Sequence, residues 1–243
     1  MSGVDLIPTI TSGDVRDTPP RIALLPIGSF EQHGDHLPLA TDTIVAAAIT
    51  SRLAAAYGAV ALPPVAFSCS QEHSAWPGTV SLTHQTLSAV VADIAASLTR
   101  QGITRLALIN GHGGNYVLSN LVQTANAAAA GTMTLFPGRH DWERARTDAG
   151  LETSGHDDMH AGELEVSILA HVWPAAVRPG VATGDHHVSD RPMLLVHGMA
   201  AYTSSGVVGK PSAGTAQKGG AILDSLCASF ADHLTALGLG DTG

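Results

Sequence analysis

The chain has 243 residues, 44% hydrophobic and 14% charged, with a formal net charge of −9. Such a chain buries a core without staples, suits one globular domain and is not a disordered polypeptide. Lysine occurs only at 210 and 218, so an acidic surface without a basic patch argues against nucleic acid and anionic membrane surfaces as partners.

No apolar run approaches the roughly 20 residues of a membrane span. Residues 1–20 are a polar, proline-bearing arm without the basic end and apolar centre of a signal peptide, so a cytoplasmic protein is expected. Residues 21–27 form a short apolar run bounded by turn signals and read as a buried strand. A helix follows over 41–57, with Ile44, Ala48, Ile49 and Leu53 at helical spacing and Gly58 closing it. Residues 59–65 read as a second strand broken by Pro63 and Pro64, and 67–81 as a loop. The next helix spans 83–101 and opens on a hydroxyl cap. Residues 104–110 are the clearest strand, 111–115 a glycine-rich turn, 117–130 a helix and 132–136 a short strand. Residues 137–156 are a polar excursion, 161–172 a helix, 173–214 loop-rich, and 215–237 the last helix before a tail that frays from Gly238. Strands alternating with helices predict a three-layer α/β/α domain over 1–243 with a mostly parallel sheet. Cys69 and Cys227 are far apart and read as reduced thiols.

In open parallel sheets, ligands bind beyond the carboxyl ends of the strands. Two polar turns follow strands here. Glu31 and His33 come after 21–27, and His112 comes after 104–110, so topology brings them to one edge. Asp42, at the start of helix 41–57, reads equally as an N-cap or as a carboxylate able to bridge two cations. His160 and Glu163 are three apart at a helix start, so they share a face. On the same reading Glu165 points elsewhere. The donors are oxygen and nitrogen without thiolate, a set suited to zinc, iron(II) or manganese.

The motifs Gly28-Ser-Phe-Glu-Gln-His-Gly34, His36-Leu-Pro-Leu, Thr41-Asp42, Pro77-Gly-Thr79, Asn110-Gly-His-Gly-Gly-Asn115 and His160-Ala-Gly-Glu163 resemble the creatininase family, in register from about residue 20 to the last helix. The resemblance implies a creatininase-type fold and two divalent metal ions, commonly zinc with manganese or iron. It implies Glu31 and His112 on one metal, His33 on the other and Asp42 between them. In creatininase the last ligand is a glutamate two residues after the histidine of the NGH motif, a position held here by Gly114. Another branch of the family carries a glutamate three residues after the histidine of HAG, so Glu163 is expected as the last ligand. His160 is the expected general acid/base. Glu72 and His73 are expected to line the pocket or support the ligands, and His36 to support them. Gly113 and His156 stand where creatininase has aromatic residues that enclose its substrate. A more open pocket and a substrate other than creatinine are therefore expected. Asp35 replaces a proline usual in the family.

The reaction implied is hydrolysis of a carbon–nitrogen amide bond by metal-activated water. The substrate is a cyclic or small amide, a formamide on a pyrimidine nucleotide precursor, or a short peptide, as in a mycofactocin precursor peptide peptidase. A homo-oligomer, a hexamer first, is implied as well. A scaffold built on an inactive fold is the non-enzyme alternative. A phosphate cradle at Gly111–Gly114 lacks the lysine and spacing of a P-loop.

Overall fold

A computed structural model describes residues 7–240. The first six positions of the expected arm and the last three of the expected tail lie outside the described residues. The arm contains a short helix, α1 (Ser12–Asp17), capped by Thr11, whose hydroxyl accepts from Asp14 N–H at 3.2 Å. Four strands follow in the chain: β1 (Ala23–Ile27), β2 (Val60–Ala61), β3 (Leu106–Asn110) and β4 (Met133–Phe136). They form one sheet in the order β2-β1-β3-β4, and every pairing is parallel.

The sheet is buried on both faces, as parallel sheets are. Alternation along the strands decides which residue meets which layer. Leu24, Ala107, Ile109 and Phe136 pack with α2 (Thr41–Tyr57), α6 (Glu163–Val172) and α8 (Ala216–Ala236). Ala23, Leu25, Ile27, Leu106 and Leu108 face the other way, against α3 (His84–Arg100) and α4 (Val117–Ala128). The result is the α/β/α sandwich that the alternation of elements predicts. Among the described residues no helix is long and apolar enough to cross a membrane.

Three local expectations change. The strand expected over 59–65 shrinks to Val60–Ala61 with an isolated bridge from Ile27 to Val65, because Pro63 and Pro64 lack the N–H groups a ladder needs. The polar excursion over 137–156 contains α5 (Arg139–Asp148), a helix packed on α8 through buried Ala145 and half-buried Trp142. The loop-rich stretch carries one α-helical turn, α7 (Leu194–His197), among four 3-10 turns.

Register sets up the site. Ile27 lies beside Asn110, so the turns leaving β1 and β3 emerge at one level. Gly28 and Gly111 then let α2 press its first turn onto both strand ends. A Cβ on Gly28 would sit 2.4 Å from the Thr43 backbone, and one on Gly111 would sit 2.3 Å from the Asp42 carbonyl oxygen.

Candidate metal centre

Asp42 is placed by that close approach. The helix begins at Thr41 with Ala40 as its N-cap and no side-chain cap bond. Asp42 therefore spends none of its oxygens on capping. Oδ2 accepts from the Ser29 hydroxyl at 2.7 Å and lies 3.0 Å from His112 Nδ1; Oδ1 lies 3.1 Å from His33 Nε2. The carboxylate thus sits between the two turns with one oxygen directed to each histidine.

The histidines are oriented from behind. His33 Nδ1 lies 3.1 Å from the Glu31 carbonyl oxygen, and His112 Nε2 lies 2.9 Å from the Cys69 carbonyl oxygen. Each carbonyl takes the N–H of one nitrogen and leaves the other free to face inward, an arrangement common around bound metals. Asn110 holds the 111–115 turn by donating to the His112 carbonyl oxygen at 2.7 Å, and Asn115 donates to Asn110 Oδ1 at 3.0 Å.

Glu31 is fully buried, and neither carboxylate oxygen has a hydrogen-bond partner. Nitrogens of His73 and His112 approach Oε1 at 3.2 Å, and His160 Nδ1 at 3.8 Å, without hydrogen-bonding alignment. A buried, unsatisfied carboxylate is costly unless something else binds it. Donor atoms of Glu31, Asp42 and His112 lie within 4.8 Å of one another, as do those of His33, His160 and Glu165, and those of Glu31, His73 and His160. These oxygens and nitrogens, without sulfur, fit zinc, manganese or iron(II), and the orphaned Glu31 carboxylate is the observation that makes the fit physical.

The charges of the metal-free protein agree. Burial disfavours charge on His33, yet Asp42, Glu165 and Glu31 overcome it and raise its pKa to about 9. His112 is likewise opposed by burial and raised well above the ordinary value by Glu31 and Asp42. Burial opposes the Asp42 charge, and His33 and His112 hold that pKa well below the usual carboxylate range. Protons on His33 and His112 occupy the place of cationic charge.

Glu163, which the resemblance implies as the last ligand, lies apart from this cluster. Its carboxylate is fully buried on the other side of the helix start. It accepts from Lys218 Nζ at 2.6 Å, the Thr153 hydroxyl at 2.7 Å, and the N–H groups of Glu152 and Thr153 at 3.0 Å. The physical reason is the backbone. His160 is not helical but bridges Val208 in an extended pair, Ala161 turns left-handed at φ 55°, and α6 begins only at Glu163. Positions 160 and 163 therefore share no helix face. Glu165, expected to point elsewhere, folds back instead. Its Oε2 accepts from Ala161 N–H at 2.6 Å and lies 3.9 Å from His33 Nε2. Burial and the neighbouring Asp42 raise its pKa to about 7 against the pull of His33.

Asp158 secures this helix start, a role no spacing suggested. Oδ1 accepts from Glu163 N–H at 2.6 Å, Oδ2 from Leu164 N–H at 3.1 Å, and Arg146 closes a buried ion pair at 3.3 Å. Gly162 leaves the room, since a Cβ there would lie 1.8 Å from Asp158 Oδ1.

His160 and His73 flank the cluster. Their rings lie 4.3 Å apart, and His160 lies 4.2 Å from the His33 ring. Gln32 clamps both. Its Oε1 accepts from Gly34 N–H at 3.0 Å and its Nε2 donates to the Gly206 carbonyl oxygen at 3.1 Å, which fixes the amide. Nε2 then donates to His73 Nδ1 at 2.8 Å, while the Gln32 carbonyl oxygen takes the His160 Nε2–H at 2.6 Å. His160 therefore presents a free Nδ1 to the centre, and His73 presents an N–H. Burial, with the cationic His33 alongside, lowers the His160 pKa well below its ordinary value.

The remaining expected residues lie further out. His36 is buried 3.3 Å from the Ala161 carbonyl oxygen and supports the turn after His160. Glu72 Oε1 stands 3.5 Å from His112 Nε2, on the outer side of that ring. A Cβ on Gly113 meets open space. His156 is exposed and hydrogen-bonds to the Ser189 carbonyl oxygen, away from the cluster. A cavity of about 260 Å³ opens at the cluster, walled by His112, Gly113, Trp142, Met159 and Glu165. Trp142, Arg146 and Gly155 also wall an adjoining groove of about 690 Å³ that runs out to Arg139 and His156.

Residues 8–234 match the creatininase family model, described as creatinine amidohydrolase. The chain is 34% identical over 237 residues to a mycofactocin precursor peptide peptidase of Mycolicibacterium smegmatis, covering 93% of this chain and 89% of that protein. It is 30% identical over 175 residues to a creatinine amidohydrolase of Pseudomonas putida, covering 64% and 66%. Among solved structures, a creatininase crystal structure superposes with a TM-score of 0.78 at 24% identity, covering 93% of this chain and 95% of that one. The chain belongs to the creatininase family, whose members are amidohydrolases acting on carbon–nitrogen bonds.

Proposed function

We propose that this protein is a two-metal amidohydrolase that cleaves an amide bond in a peptide. Glu31, Asp42 and His112 would hold one divalent ion and His33, Asp42 and Glu165 the other, with Asp42 shared. The observation that carries this reading is the buried Glu31 carboxylate with no hydrogen-bond partner, set among inward-facing imidazole nitrogens. Two bound cations would supply Lewis acidity to the amide carbonyl and lower the pKa of water between them. Solved creatininase structures named for manganese and for a zinc pair support this choice of ions.

The protein's own groups supply the proton transfers. His160 Nδ1, kept neutral by burial and by neighbouring imidazoles, accepts a proton as the new C–O bond forms. It returns that proton to the departing nitrogen as the C–N bond breaks. The Gln32 carbonyl oxygen, 2.6 Å from His160 Nε2, holds the ring in register through both transfers.

Peptide rather than a compact ring is favoured by the cavity. Gly113 and His156 leave it unenclosed, and it continues past Trp142 into the groove. The peptidase relatives, at 33–34% identity over 86–93% of this chain, support the same substrate class. The reading includes a single domain over 1–243 and a cytoplasmic homo-oligomer, whose size sedimentation would report. Metal-loaded protein incubated with unstructured peptides and, separately, with creatinine tests the substrate. Mass spectrometry should find cleaved peptides and intact creatinine, and chelation should stop cleavage until zinc, manganese or iron(II) is restored. Faster turnover of creatinine than of any peptide would overturn the reading.

A further inference from the structure

We propose that a second recess, on the far side of the His112 ring from the cavity, is a subsite for a primary ammonium group on an apolar stem. This inference rests on the amide-cleaving reading above and assigns the part of the substrate that the cluster leaves unread.

The recess has a volume of about 320 Å³, and Glu72, Gly114, Tyr116, Leu195, Val196 and His197 form its walls. Glu72 stands on the single 3-10 turn Gln71–His73, so the same short segment carries His73 into the centre and Glu72 into the recess. The Glu72 side chain is only 17% exposed. His112 Nε2 is 3.5 Å away, but its N–H is directed to the Cys69 carbonyl oxygen at 2.9 Å. No lysine or arginine lines the recess. His112 pairs with Glu72 while it is protonated in the metal-free protein, but a His112 that ligates a metal ion through Nδ1 is neutral, which leaves a mostly buried carboxylate for a cation arriving with the ligand to pair.

The walls define the rest of the ligand. Tyr116 is 60% exposed, Leu195 77% and Val196 74%, a cluster of apolar surface at the mouth beside the acidic floor. An alkyl or aryl stem covers them while its ammonium reaches Glu72, and the Tyr116 ring adds a cation–π face. Gly114 is what lets the carboxylate occupy this position. A Cβ at 114 would lie 2.0 Å from Glu72 Oε1 and 2.4 Å from His112 Nε2. The glycine that departs from creatininase thus admits a charge delivered from another turn. A peptide lying across Gly113 and Gly114 would place a basic residue or terminal amine in the recess and the chain beyond the scissile bond along Trp142.

The test uses full-length, metal-loaded protein and two small probes of equal shape, phenethylamine and phenethyl alcohol, with binding read by ligand-observed NMR. The amine should bind about tenfold more tightly than the alcohol, a difference typical of one partly desolvated ion pair. Glu72→Gln should erase the difference with metal content per chain unchanged, and Tyr116→Ala should weaken both probes. Equal binding of the two probes to the wild-type protein would overturn the proposal. So would a Glu72→Gln variant that loses metal and keeps the preference, because Glu72 would then serve only to orient His112. Neither readout needs turnover, so a failure to cleave peptides would not be mistaken for a failure of the subsite.

Discussion

Replacing Glu163 by glutamine separates a structural carboxylate from a ligand. In the wild-type protein this buried side chain accepts from two backbone N–H groups, one hydroxyl and the Lys218 ammonium. Glutamine keeps the shape but offers one oxygen in place of two and turns an NH₂ group toward another donor. The loss is one charge-assisted hydrogen bond, about 1.5–3 kcal/mol, with Lys218 left the Ala213 carbonyl oxygen at 3.0 Å and the exposed Glu152 at 3.5 Å. For a chain of this size each kcal/mol moves the melting temperature by about 2–4 °C, so a fall of about 3–12 °C is expected. Calorimetry of the metal-loaded variant reads that shift, and elemental analysis of the same sample should find the wild-type metal content. An unchanged melting temperature together with the loss of one metal ion would refute this placement of Glu163.

The metal-free protein should lose stability as pH rises from 6.5 to beyond 9. His33 has a folded pKa of about 9 against 6.5 unfolded, so its contribution is complete below 6.5 and is lost as pH rises through 9. The raised pKa of His112 acts in the same direction, as does that of Glu165, whose contribution is lost through about 7. The His33 share is about 3 kcal/mol. Urea unfolding of chelator-treated protein at pH 6.5 and 9.5 measures it, and equal midpoints would contradict the assignment. Gly114→Ala should cut activity at least tenfold while leaving the fold intact, because its Cβ displaces Glu72 and the His112 ring together. Circular dichroism and a turnover assay check the two halves, and full activity would count against the close packing.

Much of this architecture is legible in the sequence. The buried run at 21–27, the helix from Thr41 to Tyr57 and the strand before Asn110 follow from hydrophobic period and glycine punctuation. Topology alone then brings Glu31, His33 and His112 to one sheet edge. The missing parts were non-local. Helix α5 is mostly polar, and its apolar contacts are made with α8, some eighty residues later, so its own period carries little signal. That Glu165 rather than Glu163 faces the cluster turns on one left-handed residue, Ala161, and on Asp158 capping α6 from outside; both lie outside what a spacing rule reads. No period or spacing singles out Gln32 within its motif, although its amide decides which nitrogen of His73 carries the proton.

The proposed centre holds two ions, shares Asp42 between them and is completed by Glu165. Elemental analysis after reconstitution and desalting tests it most directly. Two divalent ions are expected per wild-type chain and one in Glu165→Gln, which keeps an oxygen for the Ala161 N–H and so keeps the turn. A single ion in the wild-type protein, or two retained by the variant, would contradict it.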